Sequence, residues 1–129
     1  MKITFSDKVT YIPTWRGNDK LPKDERFSCD LTVLEIGPLM ELMEVFQRSG
    51  LTGEVDTDKV ESQSVEPLLK QFSSLLPKHV VRFEGLYDQG GRAITVEEIV
   101  RYPFYTNLGF ELLMKLVEIS SPSDDDVKN

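Results

Sequence analysis

Apolar residues recur at three- and four-residue steps over long stretches of this chain, and that spacing predicts helices. From Gly37-Pro38 to about Arg48, Leu39, Leu42, Met43 and Phe46 make one stripe; proline suits the first turn, and Gly50 suits the end. A second helix is expected over Asp58 to Leu76, through Val60, Val65, Leu68, Leu69, Phe72, Leu75 and Leu76. Pro67 falls in an early turn or divides it, Pro77-Lys78 breaks it, and Leu51 to Thr57 links it to the first. Thr95 opens a short helix with a capping box, its hydroxyl and the Glu98 carboxylate each reaching the other's backbone N–H. That helix must end before Pro103. A last helix, about Tyr105 to Ser120, carries Phe110, Leu112, Leu113, Leu116, Val117 and Ile119.

The remaining pattern is shorter and alternates. Lys2 to Phe5 and Val9 to Ile12 are β-prone, with Ser6-Asp7-Lys8 as a turn between them. Phe27 to Ile36 reads as a strand with Phe27, Cys29, Leu31 and Val33 on one face. Val80 to Tyr87 reads as a strand or extended segment closed by an Asp88-Gln89-Gly90-Gly91 turn. Pro13 to Asp24, with two prolines, should be an ordered loop or irregular arm. The fold class that follows is α+β, helix-dominated, with about four helices and a few short strands in a single globular domain over 1–119. Residues 120–129 (SSPSDDDVKN) should form a flexible acidic tail.

At 129 residues and 40% hydrophobic composition, one core is expected. A net charge of -7, from 22 acidic and 15 basic side chains, argues against nucleic acid as a partner. No stretch approaches the roughly 18 apolar residues of a membrane span, and no signal-peptide core is present, so an intracellular, membrane-free protein is expected. The lone Cys29 allows no internal disulfide.

Candidate chemistry is sparse. His79 is the only histidine, so a multi-ligand zinc site has no basis, and a Cys29–His79 nucleophile pair is outweighed by Cys29 as a small buried hydrophobe. Asp124 to Asp126 lacks the pattern of a calcium loop, and Gly85 to Gly91 matches no phosphate-binding fingerprint. The chain is read as a non-enzyme without cofactor or metal. Two segments are candidate protein-binding surfaces. Trp15-Arg16 sits in the proline-bounded arm and combines residue types that concentrate interface energy, or else Trp15 covers the core. Tyr102, Phe104 and Tyr105 surround Pro103 at an interhelical corner, where core packing is the favoured use and an interface the other.

From about Val81 to Asn129 the chain resembles the tail assembly chaperones of long-tailed phages in the order and spacing of its parts. These are Arg82-Phe83-Glu84-Gly85-Leu86, the Asp88 to Gly91 turn, Ile94-Thr95-Val96-Glu97-Glu98-Ile99, Phe110-Glu111-Leu112-Leu113, and a serine-rich acidic ending closed by Lys128-Asn129. Tyr11-Ile12-Pro13-Thr14-Trp15-Arg16-Gly17-Asn18, followed by Leu21-Pro22, is similar to openings of small phage tail-region proteins. The tail carries aspartates where the family more often has glutamates, and Gly53 to Lys78 matches nothing. The resemblance implies a protein of the host cytoplasm, absent from the mature virion. It would coat and solubilise the tape measure protein and bring tail tube protein to it. It also implies a short form of a frameshifted pair. A chaperone that coats an elongated client needs many copies, so a homo-oligomer is expected; the sequence offers as contact surfaces the Trp15-Arg16 loop, the Tyr102 to Tyr105 corner and, if its stripe exceeds what the core covers, the Leu39 to Phe46 helix. A small phage connector or tail-completion protein, and an acidic inhibitor, are the alternatives.

Overall fold

The computed structural model describes residues 1–48 and 62–121. The expected Gly50 cap, the 51–57 linker, residues 58–61 of the second helix and tail residues 122–129 lie outside them. Three short strands form one antiparallel sheet: β1 (Lys8–Tyr11), β2 (Ser28–Thr32) and β3 (Val80–Glu84), with β2 in the middle. Tyr11 faces Cys29 and Lys8 faces Thr32, while Phe83 faces Cys29 and Arg82 faces Asp30. Alternation then separates two faces. Cys29 and Leu31 are fully buried beneath the helices, whereas the other face carries a polar row across all three strands. In that row Thr10 Oγ1 donates to Asp30 at 2.7 Å, and Arg82 Nε meets the same carboxylate at 3.0 Å. The Arg82 and Thr10 hydrogen bonds hold the Asp30 carboxyl below its ordinary range.

Four α-helices occur among the described residues: α1 (Ile36–Arg48), α2 (Ser62–His79), α3 (Val96–Arg101) and α4 (Thr106–Ser120). The helix-dominated α+β domain expected from the sequence is therefore the one observed. Leu39, Leu42, Val45 and Phe46 of α1, Leu68, Phe72, Leu75 and Leu76 of α2, and Leu108 to Leu116 of α4 meet in a single core. The Leu39 to Phe46 stripe is spent on that core and is no contact surface; α1 instead leaves Ile36 and Met40 exposed. A close approach occurs at Gly109 of α4, where a Cβ would stand 2.8 Å from the Phe72 ring. Phe72 in turn packs edge-on to Phe110 at 4.9 Å.

Several expected boundaries move. Lys2 to Phe5 pairs with nothing and is not a strand. The Phe27 to Ile36 strand stops at Thr32, because buried Leu34 departs from the alternation and Ile36 already opens α1. Pro77 does not end α2, which continues to His79. A proline there loses the bond to the Ser73 carbonyl and its ring crowds that carbonyl, but Ser73 is exposed and water can satisfy it. Burial of Leu76, His79 and Val80 on either side holds the chain in place. Pro67 is likewise accommodated inside one continuous helix. β3 is shorter than Val80 to Tyr87 because Gly85, at φ +100°, turns the chain away. The Thr95–Glu98 capping box is present in both directions, and α3 ends before Pro103 as expected. Ser120, assigned to the tail, closes α4 and accepts from the Leu34 N–H at 2.8 Å.

Candidate protein-binding site

The site begins with a segment that has little regular structure but many fixed points. Between β1 and β2 the arm winds into 3₁₀ turns over Trp15–Lys20. Arg16 (φ 54°) and Gly17 (φ 76°) are both left-handed, and this kink turns the Arg16 side chain back over its neighbour. An arginine in that region carries a strain of roughly 1 kcal/mol or more, so its surroundings must hold it. Glu111 on α4 supplies one anchor: its carboxylate accepts from Tyr11 Oη at 2.5 Å and from the Thr14 N–H at 2.7 Å. Burial, reinforced by the hydrogen bond to Glu111, pushes the Tyr11 hydroxyl well above its usual pKa. The Lys115 ammonium lies 5.0 Å from the centre of the Tyr11 ring.

Asn18 is the second anchor and the least conspicuous residue of the arm in the sequence. It is 2% exposed and makes three hydrogen bonds. Its Nδ2 donates to the carbonyls of Pro13 (2.8 Å) and Phe27 (2.9 Å), and its Oδ1 accepts from the Phe27 N–H (2.8 Å). The arm is thereby tied to the start of β2. A third point is steric: a Cβ at Gly85 would stand 2.8 Å from the Arg26 carbonyl oxygen and 2.9 Å from Phe27 Cα. Only glycine lets the end of β3 approach so closely.

These anchors bring together residues that are about 90 positions apart in the chain. Trp15 is half-buried and packs edge-on to Phe27 at 6.2 Å, edge-on to Phe104 at 6.0 Å and tilted against Tyr105 at 5.9 Å. The Arg16 guanidinium lies 5.0 Å from the Trp15 ring centre and 4.5 Å from that of Phe104, a cation held between two aromatic rings. No carboxylate pairs with it among the described residues. Phe104 itself remains 59% exposed. Beside this stack a groove of about 340 Å³ opens between the arm and the Gly85–Tyr87 turn, with Leu21 and Tyr87 exposed on its walls.

The expectations for the corner divide. Phe104 and Tyr102 are largely exposed, so core packing fails for both; Tyr105 is partly buried against the core and fits it. The 3₁₀ turn Pro103–Tyr105 is what separates them, since a tight turn cannot aim the successive Phe104 and Tyr105 rings and the preceding Tyr102 ring all inward. Tyr102 stands apart from the stack and lines a second, smaller groove of about 240 Å³ with Leu69 and Phe72 of α2. Trp15 covers the edge of the core, as one of its two readings has it, and leaves part of its ring exposed.

Other candidate chemistry is assigned elsewhere. Burial pushes the Cys29 thiol up to about 12, and it donates to the Tyr11 carbonyl at 3.7 Å. His79 is buried with Nδ1 2.9 Å from Thr32 Oγ1, so Cys29 and His79 each have a different partner. Among the described residues, no three His, Cys, Asp or Glu side chains converge as metal ligands, and no helix is long and apolar enough to cross a membrane. Asp124 to Asp126 lie outside the described residues. Comparisons of the chain with protein-family models, curated proteins and solved structures found no match.

Proposed function

We propose that this protein is a non-catalytic tail assembly chaperone of a long-tailed phage, which binds and solubilises the tape measure protein and recruits tail tube subunits in the host cytoplasm. The layout resemblance over Val81 to Asn129 supports the family. The observation that carries the binding role is the Arg16 guanidinium held between Trp15 and Phe104, with Phe104 left 59% exposed. Aromatic and arginine side chains on rigid supports are the groups that concentrate interface energy, because little rotamer freedom remains to be lost on binding. An apolar client helix would lay its residues against Phe104 and Trp15, and a client carboxylate would meet Arg16. The net charge of -7 favours solubility of the complex.

Co-expression with a tape measure protein from the same phage tests the proposal. The chaperone should raise the soluble yield of that client and co-purify with it, and the double variant Trp15→Ala, Phe104→Ala should lose both effects. Absence of any soluble complex would refute the chaperone role. Finding this protein in purified virions would favour the connector or tail-completion alternative.

A further inference from the structure

Arg16 differs from most other arginines of the chain in what it touches. Arg26 donates to the Leu21 carbonyl at 2.8 Å, Arg48 meets Glu44, Arg82 meets Asp30 and Glu84, and Arg92 meets Asp88 and Glu98. Among the described residues Arg16 has neither an ion pair nor a side-chain hydrogen bond. Arg101 shares that lack, and it lines the smaller groove with Tyr102. The Trp15 and Phe104 rings attract the Arg16 charge but supply no oxygen for its five N–H donors. Its backbone is also held left-handed, at φ 54°. A charge that served only solubility would need no such conformation, whereas a group that must stand at one place beside the stack does.

The groove of about 340 Å³ shares Trp15 and Arg16 with the stack, so the unpaired guanidinium stands on its wall. Buried Phe27 and half-buried Leu86 line it together with the exposed Leu21 and Tyr87. That volume is near the low end of the ~300–1,000 Å³ of sites that take small ligands, room for one large side chain and not for a helix. Glu25 lines the groove as well and makes no ion pair with Arg16. A run of adjacent carboxylates would therefore meet repulsion from Glu25 along with attraction to Arg16, on a chain whose net charge is already -7. One carboxylate beside a large apolar group suits both walls.

We infer that Arg16 and this groove form a two-part receptor for a helical segment that carries one large apolar side chain a single turn away from one carboxylate. The apolar side chain enters the groove, and the carboxylate takes the Arg16 N–H donors in a forked, charge-assisted pair. Both receptor parts adjoin Trp15, so the two client groups must lie on one side of the segment, which three- or four-residue spacing on a helix provides. Asn18 and Glu111 already fix the arm, so little order is left to impose on binding. This inference rests on the client-binding reading of the stack and specifies what the client must present.

Titration of the full chain with a blocked helical peptide tests it: alanine and glutamine throughout, save one leucine and, four residues later, one glutamate. Trp15, the only tryptophan of the chain, reports occupancy through its fluorescence. Saturable binding is expected, weakened about tenfold or more when the peptide glutamate is replaced by glutamine. Replacing its leucine by alanine should weaken it by a similar factor. Arg16→Gln should reproduce the loss for the glutamate peptide, and Arg48→Gln, which removes a distant positive charge, should leave binding unchanged. Equal binding of the glutamate and glutamine peptides to the wild type overturns the proposal, and that comparison requires no variant to fold. Tighter binding of a peptide with three consecutive aspartates overturns it too, as does the absence of saturation at about 1 mM peptide. If the tape measure protein is captured by wild type and by Arg16→Gln alike, the chaperone reading stands and this one falls. Discrimination between the peptides without capture of that protein gives the reverse.

Discussion

Two irregular segments flank β1, and they contrast in a way that composition alone would invert. Residues 1–6 are rich in large apolar side chains, yet Met1, Ile3 and Phe5 are all exposed and unattached to the domain. Residues 12–26 are polar, kinked and proline-bounded, yet they are fixed by Asn18, Glu111 and the close approach of Gly85. Hydrophobic area is non-directional and will serve any partner, whereas a buried amide with three satisfied bonds accepts one arrangement only. The pinned arm can therefore hold Trp15 and Arg16 at a defined position, while Met1, Ile3 and Phe5 stay exposed.

The largest effect should come from the steric pin. Gly85→Val brings a side chain into the Arg26 carbonyl and Phe27 Cα and forces a β-branched residue to φ +100°. A loss on the order of 3 kcal/mol or more in urea unfolding is expected, from backbone strain and overpacking together. A loss below about 1 kcal/mol would mean that β3 can withdraw from the arm. Next comes Asn18→Ala, which leaves the Pro13 and Phe27 carbonyls and the Phe27 N–H without partners. Destabilisation of about 2 kcal/mol is expected. Trp15 fluorescence should also shift to the red as the arm loosens, a change that a purely global effect on stability would not produce in the folded state.

A smaller, pH-dependent effect belongs to His79, a buried polar link between α2 and β2. Burial, with the Lys78 charge beside it, holds His79 below its ordinary value of 6.5, against the opposing influence of Thr32 and Glu35. The unfolded chain then binds its proton at higher pH than the native protein does. The contribution to stability is fully present above about pH 6.5 and is lost as pH falls from there through the lower folded value. Thermal unfolding of the wild type should decline over that window, and His79→Gln should show a shallower decline. Equal slopes would remove His79 from the acid response.

The smallest effect is expected in the apolar arm itself. Phe5→Asp should change stability by no more than about 0.5 kcal/mol, because Phe5 is 74% exposed and buries little within its own domain. A loss comparable to that of Asn18→Ala would erase the contrast between the two segments.

Much of this architecture was readable before any coordinates. The helical stripes, the Thr95–Glu98 box, the stop before Pro103 and the irregular arm depend on local periods and on chain-local hydrogen bonds, which sequence spacing encodes directly. The errors lie where tertiary burial outweighed a local signal: Pro77 was kept in α2 by buried neighbours, and Leu34 was drawn inward past the end of β2. Trp15, Arg16, Phe104 and Tyr105 were each visible as candidates from residue type. Asn18 and Gly109 were not, since an asparagine beside glycine reads as a turn and a lone helical glycine as a weak point. A Trp-Arg-Gly-Asn run that must enter a core is a signal that could have raised Asn18.

By itself the sequence determined the element types, the helix-dominated α+β class and the residue kinds available for binding, because these follow from periodicity, capping and composition. It also determined the alternation of Met1, Ile3 and Phe5 with polar residues at the start of the chain. Only the tertiary structure decided that Trp15 and Arg16 meet Phe104, that Tyr102 faces a different groove, and that Asn18 and Glu111 hold the arm in place. The contacts of Trp15 and Arg16 with Phe104, and of Glu111 with the arm, join residues about 90 to 100 positions apart, and no local pattern carries information over that separation. They exist because burial of one shared core brings α4, the corner before it and the start of β2 to the same end of the sheet.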